Sequence, residues 1–161
     1  TNTVFDGNQA GLRGGGFFVS DGSLACTTGA NATFSSNTAF DGGAIWGNNG
    51  ASLSFYGASS FEDNVATVDP QNVDSTGYGG GVYLLSATAT WDGAVAFTGN
   101  SARFGGALYI SSSNILWSAQ TTTAFYNTAV SGGALYVFQS SVTWNGQATM
   151  AFNNVSEFGG A

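Results

Sequence analysis

The chain of 161 residues has no histidine and no lysine, a single cysteine (Cys26), a single proline (Pro70) and only two arginines, Arg13 and Arg103. Each scarcity excludes a chemistry. Without imidazole there is no Ser-His-Asp triad, no histidine metal ligand and no histidine proton shuttle. A lone thiol forms neither an internal disulfide nor a multi-thiolate zinc site. Two cations against nine acids give a net charge of −7. No basic surface is then available to displace phosphate counterions, which excludes nucleic acid as a partner. No apolar run approaches about 18 residues, so no transmembrane helix is expected in this segment. Charged residues make up only 7% of the chain, against about 25% in ordinary domains. With abundant Ser, Thr, Asn and Gly, that composition points to an extracellular or cell-surface setting.

Glycine is plentiful, at 25 residues, and it is ordered. A Gly-Gly pair followed by a small, an apolar and an aromatic residue recurs as Gly14-Gly15-Gly16-Phe17-Phe18, Gly42-Gly43-Ala44-Ile45-Trp46 and Gly79-Gly80-Gly81-Val82-Tyr83. It continues as Gly105-Gly106-Ala107-Leu108-Tyr109 and Gly132-Gly133-Ala134-Leu135-Tyr136, and a sixth copy opens at Gly159-Gly160-Ala161. The intervals are 28, 37, 26, 27 and 27 residues, a period of about 27 with one insertion of about ten. Two further markers keep this phase. An aromatic or Cys follows each pair by eleven or twelve residues (Cys26, Phe55, Trp91, Trp117, Trp144). An asparagine precedes most pairs by five (Asn37, Asn100, Asn127, Asn154), with Asn64 displaced by the insertion and Asn8 one residue out of phase. Ahead of each asparagine stands a phenylalanine: Phe5, Phe34, Phe61, Phe97, Phe125 or Phe152.

Helix formers are scarce and no 3.6-residue stripe survives, whereas short alternating runs bounded by Gly, Asn or Ser are frequent. Three short strands per 27 residues is the content of one coil of a parallel β-solenoid, whose coils stack at about 4.8 Å. The expectation is an all-β solenoid of about six coils over residues 1–161, with a loop insertion at about 67–77.

Phe-x-x-Asn followed by Gly-Gly-Ala-Ile/Leu-Tyr resembles the repeat of the chlamydial polymorphic outer membrane proteins. Phe34-Ser35-Ser36-Asn37 to Trp46 and Phe97-Thr98-Gly99-Asn100 to Tyr109 carry that likeness most fully. The resemblance implies a right-handed parallel β-helix, exposed on a surface and used for adhesion, and it supplies no catalytic residues to transfer.

Stacking of equivalent positions turns each marker into a column. Asn37, Asn64, Asn100, Asn127 and Asn154 are read as a structural ladder, since stacked asparagines bond to one another and to turn backbone. Phe55, Trp91, Trp117 and Trp144 form a core aromatic column, with Cys26 as a small buried hydrophobe at its head. Strand parity aims Phe18, Trp46, Tyr83, Tyr109 and Tyr136 outward, a candidate contact surface for protein packing or sugar stacking unless the chain's own turns cover it. Asn31, in Asn31-Ala32-Thr33, is a candidate glycosylation site, whereas Asn154 lies in the ladder. In the insertion, Asp69 and Asp74 with nearby Glu62 and Asp63 fit either a solvated acidic loop or a weak calcium site, and the spacing matches no calcium-loop motif. No metal, cofactor or catalytic residue is assigned.

The leading expectation is therefore a non-enzymatic structural or adhesive surface solenoid. The repeat also begins and stops in mid-phase without caps, which predicts an interior segment of a longer rod or end-to-end filament, self-associating or meeting other surface proteins. A glycan-binding module using the aromatic row is the alternative. A polysaccharide lyase or hydrolase ranks lower, because the acids are scattered about one per coil.

Overall fold

A computed structural model describes residues 2–146, 148–152 and 154–159. Strand β1 (Asn2–Asp6) leads into a first turn of β2 (Phe17–Ser20), β3 (Ser23–Cys26) and β4 (Asn31–Ser35). After the short β5 (Thr38–Ala39), the second turn holds β6 (Ile45–Asn48), β7 (Ser52–Phe55) and β8 (Ser59–Glu62). The short β9 (Val65–Ala66) and the insertion, with a 3-10 turn at Val73–Ser75, precede β10 (Val82–Leu85), β11 (Thr88–Trp91) and β12 (Val95–Thr98). The fourth turn is β13 (Leu108–Ser111), β14 (Asn114–Trp117) and β15 (Thr121–Phe125); the fifth is β16 (Leu135–Phe138), β17 (Ser141–Trp144) and β18 (Ala148–Phe152).

Every strand pairs in parallel with its equivalent one turn away. The result is a two-stranded sheet, β5-β9, and three long sheets, β2-β6-β10-β13-β16, β3-β7-β11-β14-β17 and β1-β4-β8-β12-β15-β18, the faces of a β-solenoid. Its turns number about five rather than six. Each Gly-Gly mark opens a turn, so six marks bound five, and β1 adds one strand to the third face. Gly160 and Ala161, in the sixth mark, lie outside the described residues.

The columns fill a single core. Phe17, Ile45, Val82, Leu108 and Leu135 stand in register on the first face. On the second face Phe55 stacks on Trp91 at 5.7 Å, Trp91 on Trp117 at 4.7 Å and Trp117 on Trp144 at 4.7 Å. Trp144, in the last turn, is however 40% exposed and lies outside the buried core expected of it, since a ring there is covered on one side only. Phe5, Phe34, Phe61 and Phe97 stack on the third at 4.9, 5.1 and 4.9 Å. Each such pair adds about 0.5–1.5 kcal/mol beyond burial. Two expected members differ in register, Phe125 and the Phe152 paired with it. Phe97 pairs with Ala124, not Phe125, because Phe125 lies two residues before its asparagine where Phe97 lies three, and one residue in a strand reverses the face.

Three corners per coil are each turned by a left-handed residue. The corner before the asparagines uses Ser36, Asp63, Gly99 and Tyr126, and that between the first and second faces uses Asp21, Asn49, Ser86, Ser112 and Gln139. The left-handed residue of the asparagine corner is thus the one before the asparagine. At the third corner the two glycines have separate duties. Gly42 takes φ +60, a conformation that disfavours a Cβ. A Cβ on Gly43 would collide with the Gly80 carbonyl and the Val65 backbone of the next coil. The pair therefore combines a turn with a close approach.

Candidate functional site

The asparagine corner is built by reciprocal bonding. Asn64 Nδ2 donates to Phe34 O at 2.8 Å and to Asn100 Oδ1 at 3.0 Å, while its own Oδ1 accepts from Asn37 N and Nδ2, both at 3.0 Å. Asn100 and Asn127 repeat this geometry, and Asn127 N and Nδ2 both reach Asn154 Oδ1 at 3.0 Å. Asn37, Asn64, Asn100 and Asn127 have no exposed surface. Their amides hold coil to coil and face no solvent-filled space. Asn8 also joins, donating from N and Nδ2 to Asn37 Oδ1. Its offset is absorbed between the bridges Gln9↔Thr38 and Arg13↔Asp41, where the first coil carries one extra residue.

The outer side of the first face is different. Phe18, Trp46, Tyr83, Tyr109 and Tyr136 align in register, with successive ring centroids 4.9, 6.2, 5.0 and 5.0 Å apart. Parity points them away from the core, yet Trp46 is 2% and Tyr83 8% exposed, while Phe18 at one end is 51% exposed. The insertion makes the difference. Its last turn lays Tyr78 against Tyr83 at 5.4 Å and Tyr109 at 4.7 Å.

Asp41 fastens that cover. Its Oδ1 accepts from Gly77 N at 3.1 Å and Tyr78 N at 3.3 Å. Arg103 holds the loop from the next coil, donating from Nη1 to Val73 O, and Tyr78 Oη donates to Asp74 O at 3.1 Å. Within the loop, Thr76 Oγ1 accepts from Asp69 N at 2.9 Å and Asp69 Oδ1 accepts from Gln71 N at 2.8 Å. The Asp69 carboxylate therefore serves a local turn. Among the described residues, no three of His, Cys, Asp and Glu gather where they could hold a metal ion.

Between the loop and the strip lies a cleft of about 310 Å³, lined in part by Arg13, Asp41, Trp46, Tyr78, Tyr83 and Tyr109. Burial pushes the Asp41 carboxyl up from 3.8 to about 6, against the pull of the Tyr78 amide, the Arg13 guanidinium and the Gly77 amide. Burial, with Tyr78 and Tyr136 nearby, pushes the Tyr109 phenol up to about 12; Tyr83 is raised by burial and by Tyr109. These phenols stay protonated at neutral pH and act as donors. Arg13 lies over the Trp46 ring with its guanidinium carbon 4.7 Å from the centroid. The arrangement offers stacking faces, donors and one carboxylate acceptor. It offers no second carboxylate for paired acid–base hydrolysis.

The other expected residues lie elsewhere. Asn31 is exposed on β4, and Cys26 is half-buried with its Sγ donating to Ala30 O at 3.2 Å. Arg13, Asp41 and Tyr78 were not singled out by the sequence pattern as a group. A signal was present, since each precedes its second glycine by two residues and so falls at one phase of the repeat.

Fold and columns together define a parallel β-solenoid whose repeat side chains bind one coil to the next. A family model described as the Chlamydia polymorphic membrane protein (Chlamydia_PMP) repeat matches residues 94–111, which run from β12 through Asn100 and Gly105-Gly106 to β13. The chain is 32% identical over 131 residues to the "Probable outer membrane protein PmpG" of Chlamydia muridarum (strain MoPn / Nigg). That match takes in 68% of this chain and 13% of the relative's length. No solved structure matches. The repeat thus resembles that of the polymorphic membrane proteins. Among the described residues, no helix is long and apolar enough to cross a membrane.

Proposed function

We propose that the chain is a section of a non-enzymatic cell-surface β-solenoid with a structural and adhesive role. The carrying observation is a division of labour between repeated and unrepeated residues. The repeated side chains are committed to stacking and to the asparagine ladder, whereas the one large departure from the period, residues 67–77, is folded back over an aromatic strip on the outer surface. Variation confined to a loop on a rigid scaffold is how repeat proteins acquire recognition surfaces. The outer-membrane designation of the matched relative supports a surface location. Its much greater length supports a place in a longer array, where lateral or end-to-end contact with like coils belongs to the same reading.

Antibody raised against the folded 67–77 loop tests this on producing cells. Labelling of intact, unpermeabilised cells is expected. Labelling only after permeabilisation overturns the surface reading.

A further inference from the structure

We infer that the cleft between the 67–77 loop and the aromatic strip is a binding site for a neutral hexopyranose unit of a glycan. The inference deepens the adhesive reading and rests on it for the biological setting, though not for the chemistry. A cleft of about 310 Å³ falls at the lower end of small-ligand pockets, about 300–1,000 Å³.

Its functional groups select among ligands. Tyr78 from the loop and Tyr109 from the strip, both partly exposed, give the aromatic surface against which the C–H face of a pyranose packs, while the buried Trp46 and Tyr83 form the floor beneath. Asp41 Oδ1 is committed to the loop amides, and among the described residues no hydrogen bond engages its Oδ2. The Arg13 guanidinium is held by Trp46 through its face, and no hydrogen bond or ion pair among the described residues uses its five donors. Trp46 lies in the floor, 2% exposed, with a buried Nε1 that has no hydrogen-bond partner. Trp91 Nε1 is unpartnered too, but it belongs to the sealed core.

An anionic sugar would meet the Asp41 carboxylate, a cationic ligand would meet Arg13, and a plain hydrocarbon would strand both groups without water. A neutral polyol has the reverse property. Vicinal hydroxyls donate to Asp41 Oδ2 and accept from Arg13. The site is anchored on both sides, by the strip below and by Asp41 and Arg103 gripping the loop, so little ordering is left to oppose binding.

The test uses the full 161-residue chain on an array of neutral oligosaccharides built from glucose, galactose, mannose or their N-acetyl forms, beside sialylated and uronic-acid oligosaccharides. Captured sugars are then titrated by tryptophan fluorescence. Retention of at least one neutral class is expected, weakened tenfold or more in both Arg13→Gln and Asp41→Asn. Thr90→Ala, on the second face, is expected to bind as the unmodified chain does. Circular dichroism establishes that each variant is folded, and Arg13 is exposed, so its replacement leaves the core intact. Failure of the folded chain to retain any neutral sugar, preference for the acidic sugars, or equal binding by the Arg13 and Asp41 variants overturns the inference. The cell-labelling result is independent. Surface label without sugar binding removes this inference alone, and sugar binding without surface label removes the location alone.

Discussion

Replacing Asn64 by alanine strikes the ladder at its middle. The substitution deletes two donated bonds, to Phe34 O at 2.8 Å and Asn100 Oδ1 at 3.0 Å, and two accepted from Asn37 at 3.0 Å. Not all the partners suffer equally. Asn37 Nδ2 keeps Phe5 O, and Asn100 Oδ1 keeps the Asn64 amide at 3.1 Å. The Asn37 amide loses its acceptor in a residue with no exposed surface. A stranded buried amide costs about 1–3 kcal/mol, and each of the three other lost bonds about 1 kcal/mol, so the expected loss is about 4–6 kcal/mol. Against a typical stability of about 5–15 kcal/mol that is a large fraction. Guanidinium unfolding followed by tryptophan fluorescence reads it as a lower midpoint, with Asn31→Ala on the exposed edge of β4 as a control expected within about 0.5 kcal/mol. Asn64→Asp sharpens the test. At neutral pH its carboxylate faces the Phe34 and Asn100 acceptors with no donor to offer, so it destabilises more than alanine does. On acidification the carboxyl gains one O–H donor and part of the stability returns. A loss below about 1 kcal/mol for the alanine variant, or an aspartate variant as stable as the original, would refute the view that the ladder bonds hold the coils.

Asp41 should tie stability to pH. Its carboxyl rises from 3.8 to about 6 on folding, so between those values the folded chain keeps a proton that the unfolded chain has lost. The contribution of Asp41 to stability is therefore greatest below about pH 4 and is lost as pH rises through about 6, by up to about 3 kcal/mol. Melting curves across that range should show the slope, and Asp41→Asn should flatten it. Gly43→Ala places a Cβ against the Gly80 carbonyl of the next coil. It should prise the coils apart locally, seen as lost hydrogen-exchange protection around Val65 and Gly80; a stable variant with unchanged exchange would refute the close-approach role. Tyr126, 62% exposed, adopts φ +56. A left-handed non-glycine residue costs about 1–2 kcal/mol and glycine forfeits about 0.5–1 kcal/mol of backbone entropy, so Tyr126→Gly should be neutral to about 1 kcal/mol stabilising, read as a small rise in Tm.

What the sequence determined by itself is the periodic part. A residue repeated at one phase must stack on its copies once the strands run parallel, so the tryptophan column, the asparagine corner and the inward and outward faces follow from spacing alone. Periodicity has less hold where the count changes by one. Asn8 rejoins the ladder because the first coil absorbs an extra residue between Gln9 and Arg13, while Phe125 leaves its column because the slip falls inside a strand, where one residue reverses the face. The loop lay further out of reach. Its path depends on contacts between coils, namely Asp41 with the Gly77 and Tyr78 amides, Arg103 with Val73 O, and Tyr78 on Tyr83 and Tyr109. Only the tertiary structure decided that the outward strip would be roofed at its centre and open at the Phe18 end, because a non-repeating segment has no copy to stack on and is placed by the surface it happens to meet.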